Sequence, residues 1–400
     1  MRISTLQLYQ RGMTFLQDQQ ARLQQTEQQL ASGLRFSKPS EDPAAAVKVL
    51  DLKARLGGID QYQRNSTLAE TSLAFEESVM GNVLNTLQRV RELVIQGSND
   101  TNAGAARQNI AQEIYQRLDE LIALANTRDA QGEFIFGGFR VESPPFVATG
   151  GSVQYQGDQG QRLLQVGDGK QIAIRDHGQE VFQLIPGGDG VIQVGAGAAN
   201  NGTAVIGSFG LTGSFNADSY TVAFSQLLPG DPVTYNVTDS ASNLVASGTY
   251  EEGESIAFAG IQFAVSGMPA DGDEIVVTPA QNQDIFSTVK AIADALAQPT
   301  PDAASAAGFH NILNSNLANL DQGMEKINSI RAGIGARLNN LETLNEVNED
   351  FRLQLQTTLS DTQDLDFTEA ISRFNLQLTS LQAAQQAYIR TTGLTLFQYL

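Results

Sequence analysis

The sequence predicts a mainly α protein with a β-rich insertion. A long antiparallel helical rod is formed by both chain ends, and a central antiparallel β domain lies between them. Composition and periodicity carry the prediction. Residues 1–130 and about 284–400 are rich in Leu, Gln, Ala and Asn and poor in Gly. Residues 131–280 hold 25 of the 37 Gly and 7 of the 11 Pro, the residues that punctuate turns. Apolar residues recur at helical spacing in the two end zones and as short strand-like runs in the middle.

The first arm carries a narrow stripe. Leu6, Tyr9, Met13, Leu16, Leu23 and Leu30 alternate in spacings of three and four, and Gln20 and Glu27 fill two further seam positions. This is a heptad seam weakened by polar residues. The last arm answers with Ile371, Phe374, Leu378, Leu381, Gln385 and Tyr388, and stays apolar through Leu394, Leu396, Phe397, Tyr399 and Leu400. Two readings are open: an intramolecular helix pair, or surfaces for other subunits. So narrow a stripe makes a marginal helix in isolation, which favours a partner supplied by assembly.

The stretch LASGLRFSKPSEDPAAAVK, Leu30 to Lys48, separates that arm from the next helix. Gly33 and Pro39 break the first helix. Asp42 is placed to cap the second and Pro43 to occupy its first turn. These four residues are expected to act as a hinge. Apolar positions then run through Val47, Leu50, Ala54, Ile59, Leu68, Leu73, Val79, Val83, Leu87 and Val90. A further helix is expected from about Ala105 to Thr127. On the C-terminal side Phe309, Leu313, Leu317, Leu320, Met324, Ile327, Ile334, Leu338 and Leu341 continue to Phe351, Leu355 and Leu359 as one long seam.

In the middle, residues 220–224, 233–237, 244–250, 255–267 and 273–279 read as strands at a spacing near that of a small sandwich or barrel. The stretch from about 133 to 185 contains SVQYQG and KQIAIR and reads as a hairpin region lying on the rod.

Composition narrows the function. The net charge is −19 and the pI about 4.4, against nucleic acid or an anionic membrane as partner. With no Cys, disulfides and thiolate metal sites are excluded. The N-terminus lacks the apolar core of a secretory signal, and no apolar run is long enough to span a membrane. Export would need a route without a cleaved signal. No catalytic set emerges. His177 and His310 lie in different zones, and neither accompanies a nucleophile elbow. DGDE (271–274) and GGDG (187–190) lack calcium-loop spacing, and VGDGK (166–170) lacks the phosphate-loop register; all three read as turns. Asn65 and Asn236 begin glycosylation-type triplets, a pattern frequent by chance. No enzyme, no metal and no cofactor is expected.

SGLRFSKPSEDPAAAVKVLDLKARLGGIDQYQRNSTLA and LQRVRELVIQGSNDT (87–101) resemble the N-terminal region of the bacterial flagellin family, and INSIRAGIGARLNNLE (327–342) with the apolar tail resembles its C-terminal arm. RDAQGEFIFGGFR (128–140), GIQFAVSGMPADGDEIVVTP (260–279) and the ending GLTLFQYL are more similar to the family's hook–filament junction branch than to filament-forming flagellins. The resemblance implies terminal helices for assembly at 1–36 and 365–400. It implies a rod domain at 42–185 and 284–364, and an outer β-rich domain at 186–283. It implies a structural part of the extracellular flagellum, exported by the flagellar type III route, that joins hook side to filament as a ring. The implied partners are other copies of the chain, a hook-associated protein on the hook side, flagellin on the filament side and a cytoplasmic export chaperone at the C-terminal helix. A flagellin-type filament subunit is the alternative. The expected assembly residues are Leu6, Met13, Leu16, Leu23, Leu30, Ile371, Phe374, Leu378, Leu381, Tyr388, Leu394, Phe397 and Leu400.

Overall fold

The computed structural model describes residues 5–393 apart from 100, 103 and 229; for 5, 6, 8 and 391–393 it describes the backbone alone. The helices are α1 (Thr5–Ser32), α2 (Pro43–Gly97), α3 (Ala105–Ala125), α4 (Gly178–Phe182), α5 (Ile285–Ala297), α6 (Ala303–Gln363) and α7 (Phe367–Gly393). The chain divides into two compact units, 1–65 with 343–400 and 66–342. The division falls inside α2 and α6.

In the first unit α1 packs on α7, and the early turns of α2 lie beside the end of α6, where Gln63 donates to Glu349 at 2.8 Å. Asp42 caps α2 as its sequence predicts, its Oδ1 accepting the Ala45 N–H at 3.0 Å. The apolar stripe of α2 needs a correction. Val47, Leu50 and Ala54 are exposed, whereas Ala45, Val49, Leu52 and Ile59 are buried. The buried set, with half-buried Leu56, keeps the strict four–three alternation that a helix pair demands. Val47 and Leu50 lie off it at 70% and 71% exposure. Leu68 and Phe351, also read as inward, are likewise exposed.

The second unit has a helical and a β part. Leu73, Met80, Val83, Leu87 and Val90 of α2 are buried, with Ile110, Ile114 and Leu121 of α3 and Val289, Ile292 and Leu296 of α5. α3 packs on α5. Gly97 permits close approach there: a Cβ at this position would come 2.5 Å from Leu296 Cδ2. The expected hairpin region contains two hairpins, β1 (Phe146–Thr149) with β2 (Ser152–Tyr155), and β3 (Leu163–Gly167) with β4 (Lys170–Ala173). VGDGK is the β3–β4 turn, with Gly169 at φ 64°. Edge-to-face contacts at 5.3 Å join Phe136 to Phe182 and Phe182 to Phe146, and Phe146 meets Phe286 of α5 at 5.2 Å. This aromatic cluster seats the hairpin region on the helices.

The remaining strands are β5 (Ile185–Pro186), β6 (Ile192–Ala196), β7 (Val205–Leu211), β8 (Tyr220–Ser225), β9 (Thr234–Thr238), β10 (Leu244–Thr249), β11 (Ser255–Phe258), β12 (Ile261–Ser266), β13 (Glu274–Pro279) and β14 (Asn282–Gln283). Sheets ordered β10-β9-β8-β13-β6 and β11-β12-β7 enclose one core, with Val222, Phe224, Phe263, Val265 and Val277 at its centre. The run 255–267 is a hairpin rather than one strand. Ala259 and Gly260 both take positive φ, 46° and 78°, the signature of a tight two-residue turn. β6 and β7 escape the sequence reading because Gly195, Gly207 and Gly210 interrupt their apolar pattern.

Asparagines of α6 hold the sandwich. Asn311 Oδ1 accepts the Ile206 N–H at 2.7 Å and its Nδ2 donates to the Ala204 carbonyl at 2.9 Å. Asn314 Nδ2 donates to the Ile206 carbonyl at 2.9 Å, and buried Asn319 accepts the Gly188 N–H at 2.8 Å. A helix thus supplies the partners that edge strand β7 would otherwise lack.

Candidate assembly surfaces

The terminal helices pair antiparallel. Thr26 bonds Gln377, Gly12 lies beside the edge of the Tyr388 ring and Gly33 beside Phe367, so positions rise on one helix as they fall on the other. The less exposed residues of α1 are Tyr9, Gly12, Leu16, Gln19, Leu23, Thr26 and Leu30, with Gln29 beside the last turned to the Arg35 carbonyl; those of α7 are Ala370, Phe374, Gln377, Leu381, Ala384 and Tyr388. Both sets keep the heptad alternation without a break. A Cβ on Gly12 would stand 2.9 Å from Tyr388 Cδ2, so the glycine makes room for the ring.

The structure divides the sequence-predicted interface residues. Leu16, Leu23, Leu30, Phe374, Leu381 and Tyr388 lie in this intramolecular seam. Met13, Ile371 and Leu378 do not; they are 54%, 50% and 37% exposed. Each lies one position beyond a seam residue, Gly12, Ala370 and Gln377. Of Leu6 only the backbone is described, and Leu394, Phe397 and Leu400 lie outside the described residues. Gln20, Glu27 and Gln385, read as seam fillers, are exposed, and Gln19, Thr26 and Ala384 hold those places. A count of large apolar residues merges the true seam with its exposed flank, because small and polar side chains occupy half of the seam.

Among the described residues of the terminal helices, four exposed apolar side chains escaped the heptad reading: Phe15, Phe367, Leu376 and Ile389. Their signal was size and hydrophobicity off the stripe. With Met13, Ile371, Leu378, Val47 and Leu50 they leave the first unit with more exposed large apolar side chains than a helix pair needs.

The breaks in the two arms coincide. Gly33, at φ 68°, ends α1 with its N–H on the Gln29 carbonyl at 2.9 Å, and its own carbonyl accepts the Leu365 N–H at 3.0 Å. The Arg35 N–H returns to the Gln363 carbonyl at 2.8 Å. Leu34 and Asp364 form an antiparallel bridge, Pro39 is exposed in the connecting turn, and Arg35 pairs with Asp42 at 3.3 Å. The α1–α2 and α6–α7 breaks are thereby tied at one level.

Chemistry for catalysis is not gathered anywhere described. His177 Nδ1 caps α4 by accepting the Glu180 N–H at 3.3 Å, and His310 stacks edge-on to Phe309. No group of three or more His, Cys, Asp or Glu among the described residues is placed to hold a metal. No helix among them is long and apolar enough to cross a membrane.

The profile of the bacterial flagellin N-terminal helical region matches residues 3–140. The flagellar hook-associated protein 3 of Escherichia coli K12 is 27% identical over 398 residues, covering 100% of this chain and 99% of the relative. A flagellin of Clostridium tyrobutyricum is 29% identical, but over 114 residues that cover 28% of this chain. The crystal structure of the flagellar junction protein FlgL from Legionella pneumophila superposes with a TM-score of 0.68 at 32% identity, over 74% of this chain and 99% of that one. By these matches, on a chain of paired end helices around an inserted β sandwich, the protein belongs to the flagellar hook-associated protein 3 (FlgL) family.

Proposed function

We propose that this chain is a structural subunit of the bacterial flagellum that joins the hook side to the flagellin filament. The observation that carries this reading is the extent of the likeness. Hook-associated protein 3 relatives align end to end, whereas the flagellin match stops after little more than a quarter of the chain. The filament-subunit alternative is the weaker one for that reason.

Copies of the chain assemble as a ring through the terminal helices. Exposed apolar residues beside the α1–α7 seam, Met13, Phe15, Ile371 and Leu378, fit such a role. A heterologous contact of this kind closes into a ring when its rotation closes. The inner tier is 1–36 with 365–400, the rod 42–185 with 284–364, and the outer domain 186–283. Gly33, Pro39, Asp42 and Pro43 form the hinge between tiers. A hook-associated protein lies on the hook side and flagellin on the filament side. The C-terminal helix is held by a cytoplasmic chaperone before type III export without a cleaved signal.

Immunogold labelling of intact flagella tests the reading. One band where hook meets filament is expected; label along the whole filament would restore the flagellin alternative. The terminal helices are held mainly by the α1–α7 seam before assembly, so hydrogen exchange of the dilute chain is expected to be faster across Leu16–Leu30 than across the buried turns of α2 between Leu73 and Val94. Strong protection there would count against ordering on assembly.

A further inference from the structure

A buried carboxyl lies where three segments of the second unit meet, and neither the fold nor assembly calls for one. Glu76 on α2 is 1% exposed. Its Oε1 accepts the Asp176 N–H at 3.0 Å, and its buried Oε2 has no hydrogen-bond partner among the described residues. Residues 173–176 form a strap over it. One turn earlier on α2, Ser72 Oγ donates to the Ile174 carbonyl at 3.2 Å and accepts from Arg175 Nε at 3.3 Å. From α6, Arg337 donates to the Ala173 carbonyl at 3.2 Å and to Asp176 Oδ2 at 2.5 Å. The strap therefore ties α2 to α6.

The charges around it balance without Glu76. Arg337 is paired with Asp176, Arg175 bonds both Asp129 and Glu133, and Arg162 reaches Glu133 at 3.2 Å. Beyond them His177 lies 3.6 Å from Glu180, which Lys326 approaches at 3.7 Å, and Glu77 is taken by Arg331 at 2.6 Å. Three acids thus face three guanidinium groups in the cluster, and an ionised Glu76 would be an uncompensated fourth acid, buried and next to Asp176. Such a charge is costly.

We propose that Glu76 is a proton-dependent catch: while its carboxyl is protonated the 173–176 strap stays clasped between α2 and α6, and loss of the proton drives the strap off. Burial, and after it the Asp176 carboxylate, push this carboxyl up from its ordinary 4.5 to about 8. Between those values the folded chain binds more protons than the unfolded one. By linkage the contribution is complete below the ordinary value and is lost as pH rises through about 8.

Trypsin reads the strap directly. Arg175 lies within it and is held by Asp129, and there is no Lys or Arg between Arg175 and Lys290. Cleavage at Arg175 of the full chain is measured from about pH 5.5 to about pH 9, normalised at each pH to cleavage of a free arginine peptide, a window that spans most of the range over which the folded chain holds the extra proton. In the unsubstituted chain the rate at Arg175 is expected to rise at least tenfold relative to the rate at Arg140. In Glu76→Gln, which keeps the shape and cannot ionise, the ratio stays flat and low. A flat profile in the unsubstituted chain overturns the proposal, as does a rise in Glu76→Gln equal to it. Hydrogen exchange of the Asp176 amide in the unsubstituted chain tests the same release without a variant. Its protection must fall over this range while that of Val222 in the sandwich holds; protection that stays constant at Asp176 overturns the proposal.

Discussion

The Thr26 hydroxyl, buried in the α1–α7 seam, is shared between Gln377 Oε1 at 2.8 Å and the Arg22 carbonyl at 3.1 Å. A polar pair at a seam position selects register, because any slip leaves both groups buried without partners. Apolar packing alone would allow the two helices to slide by a heptad.

Thr26→Val is therefore expected to cost about 1 kcal/mol, by stranding Gln377. Thr26→Val with Gln377→Leu should recover most of that loss in thermal unfolding. It should also admit more than one α1–α7 register, visible as doubled amide resonances along α1.

At Gly12 the question is space. Its missing Cβ leaves room for the Cδ2–Cε2 edge of the Tyr388 ring against α1. Gly12→Val is expected to displace the ring and weaken the helix pair by roughly 1–3 kcal/mol, the usual range for overpacking. Hydrogen exchange at Leu16 should accelerate, while amides of the β sandwich keep their rates.

Exposure separates folding from assembly. Leu381 is buried in the seam, whereas Ile371 and Leu378 are not. Leu381→Asp should melt the α1–α7 pair and abolish assembly together. Ile371→Asp and Leu378→Asp should leave circular dichroism unchanged and still prevent addition of the protein to hooks. Normal filament growth on hooks carrying either exposed variant would remove those positions from the interface.

Asn311 answers for an edge strand. Asn311→Leu strands the Ile206 N–H and the Ala204 carbonyl, a loss of about 2–4 kcal/mol if neither is rehydrated. Asn311→Asp keeps the acceptor and loses the donor, so its melting temperature should fall between the two.

Much of this architecture is legible along the chain. The Asp42–Pro43 helix start, the α3 boundaries, the VGDGK turn and the strands β8, β9, β10 and β13 rest on neighbouring residues, and local rules find them. The seam is harder. Its places are held by Gly12, Gln19, Thr26, Gln377 and Ala384 as often as by large apolar residues, so hydrophobic spacing pointed one position away, to Met13, Ile371 and Leu378. Nothing local marks Asn311 as a strand's partner, since its bonds reach back more than a hundred residues.

By itself the sequence determined the helical arms, the inserted β region and the flagellar family, because periodicity, caps and glycine content act over a few residues. Tertiary structure alone decided which face of each helix is spent inside the chain and which is left exposed. It also decided that the two arms break at one level, and that Glu76 is buried under a strap from a hundred residues away. Those outcomes depend on which surfaces meet, and burial is a property of the pair and not of either segment.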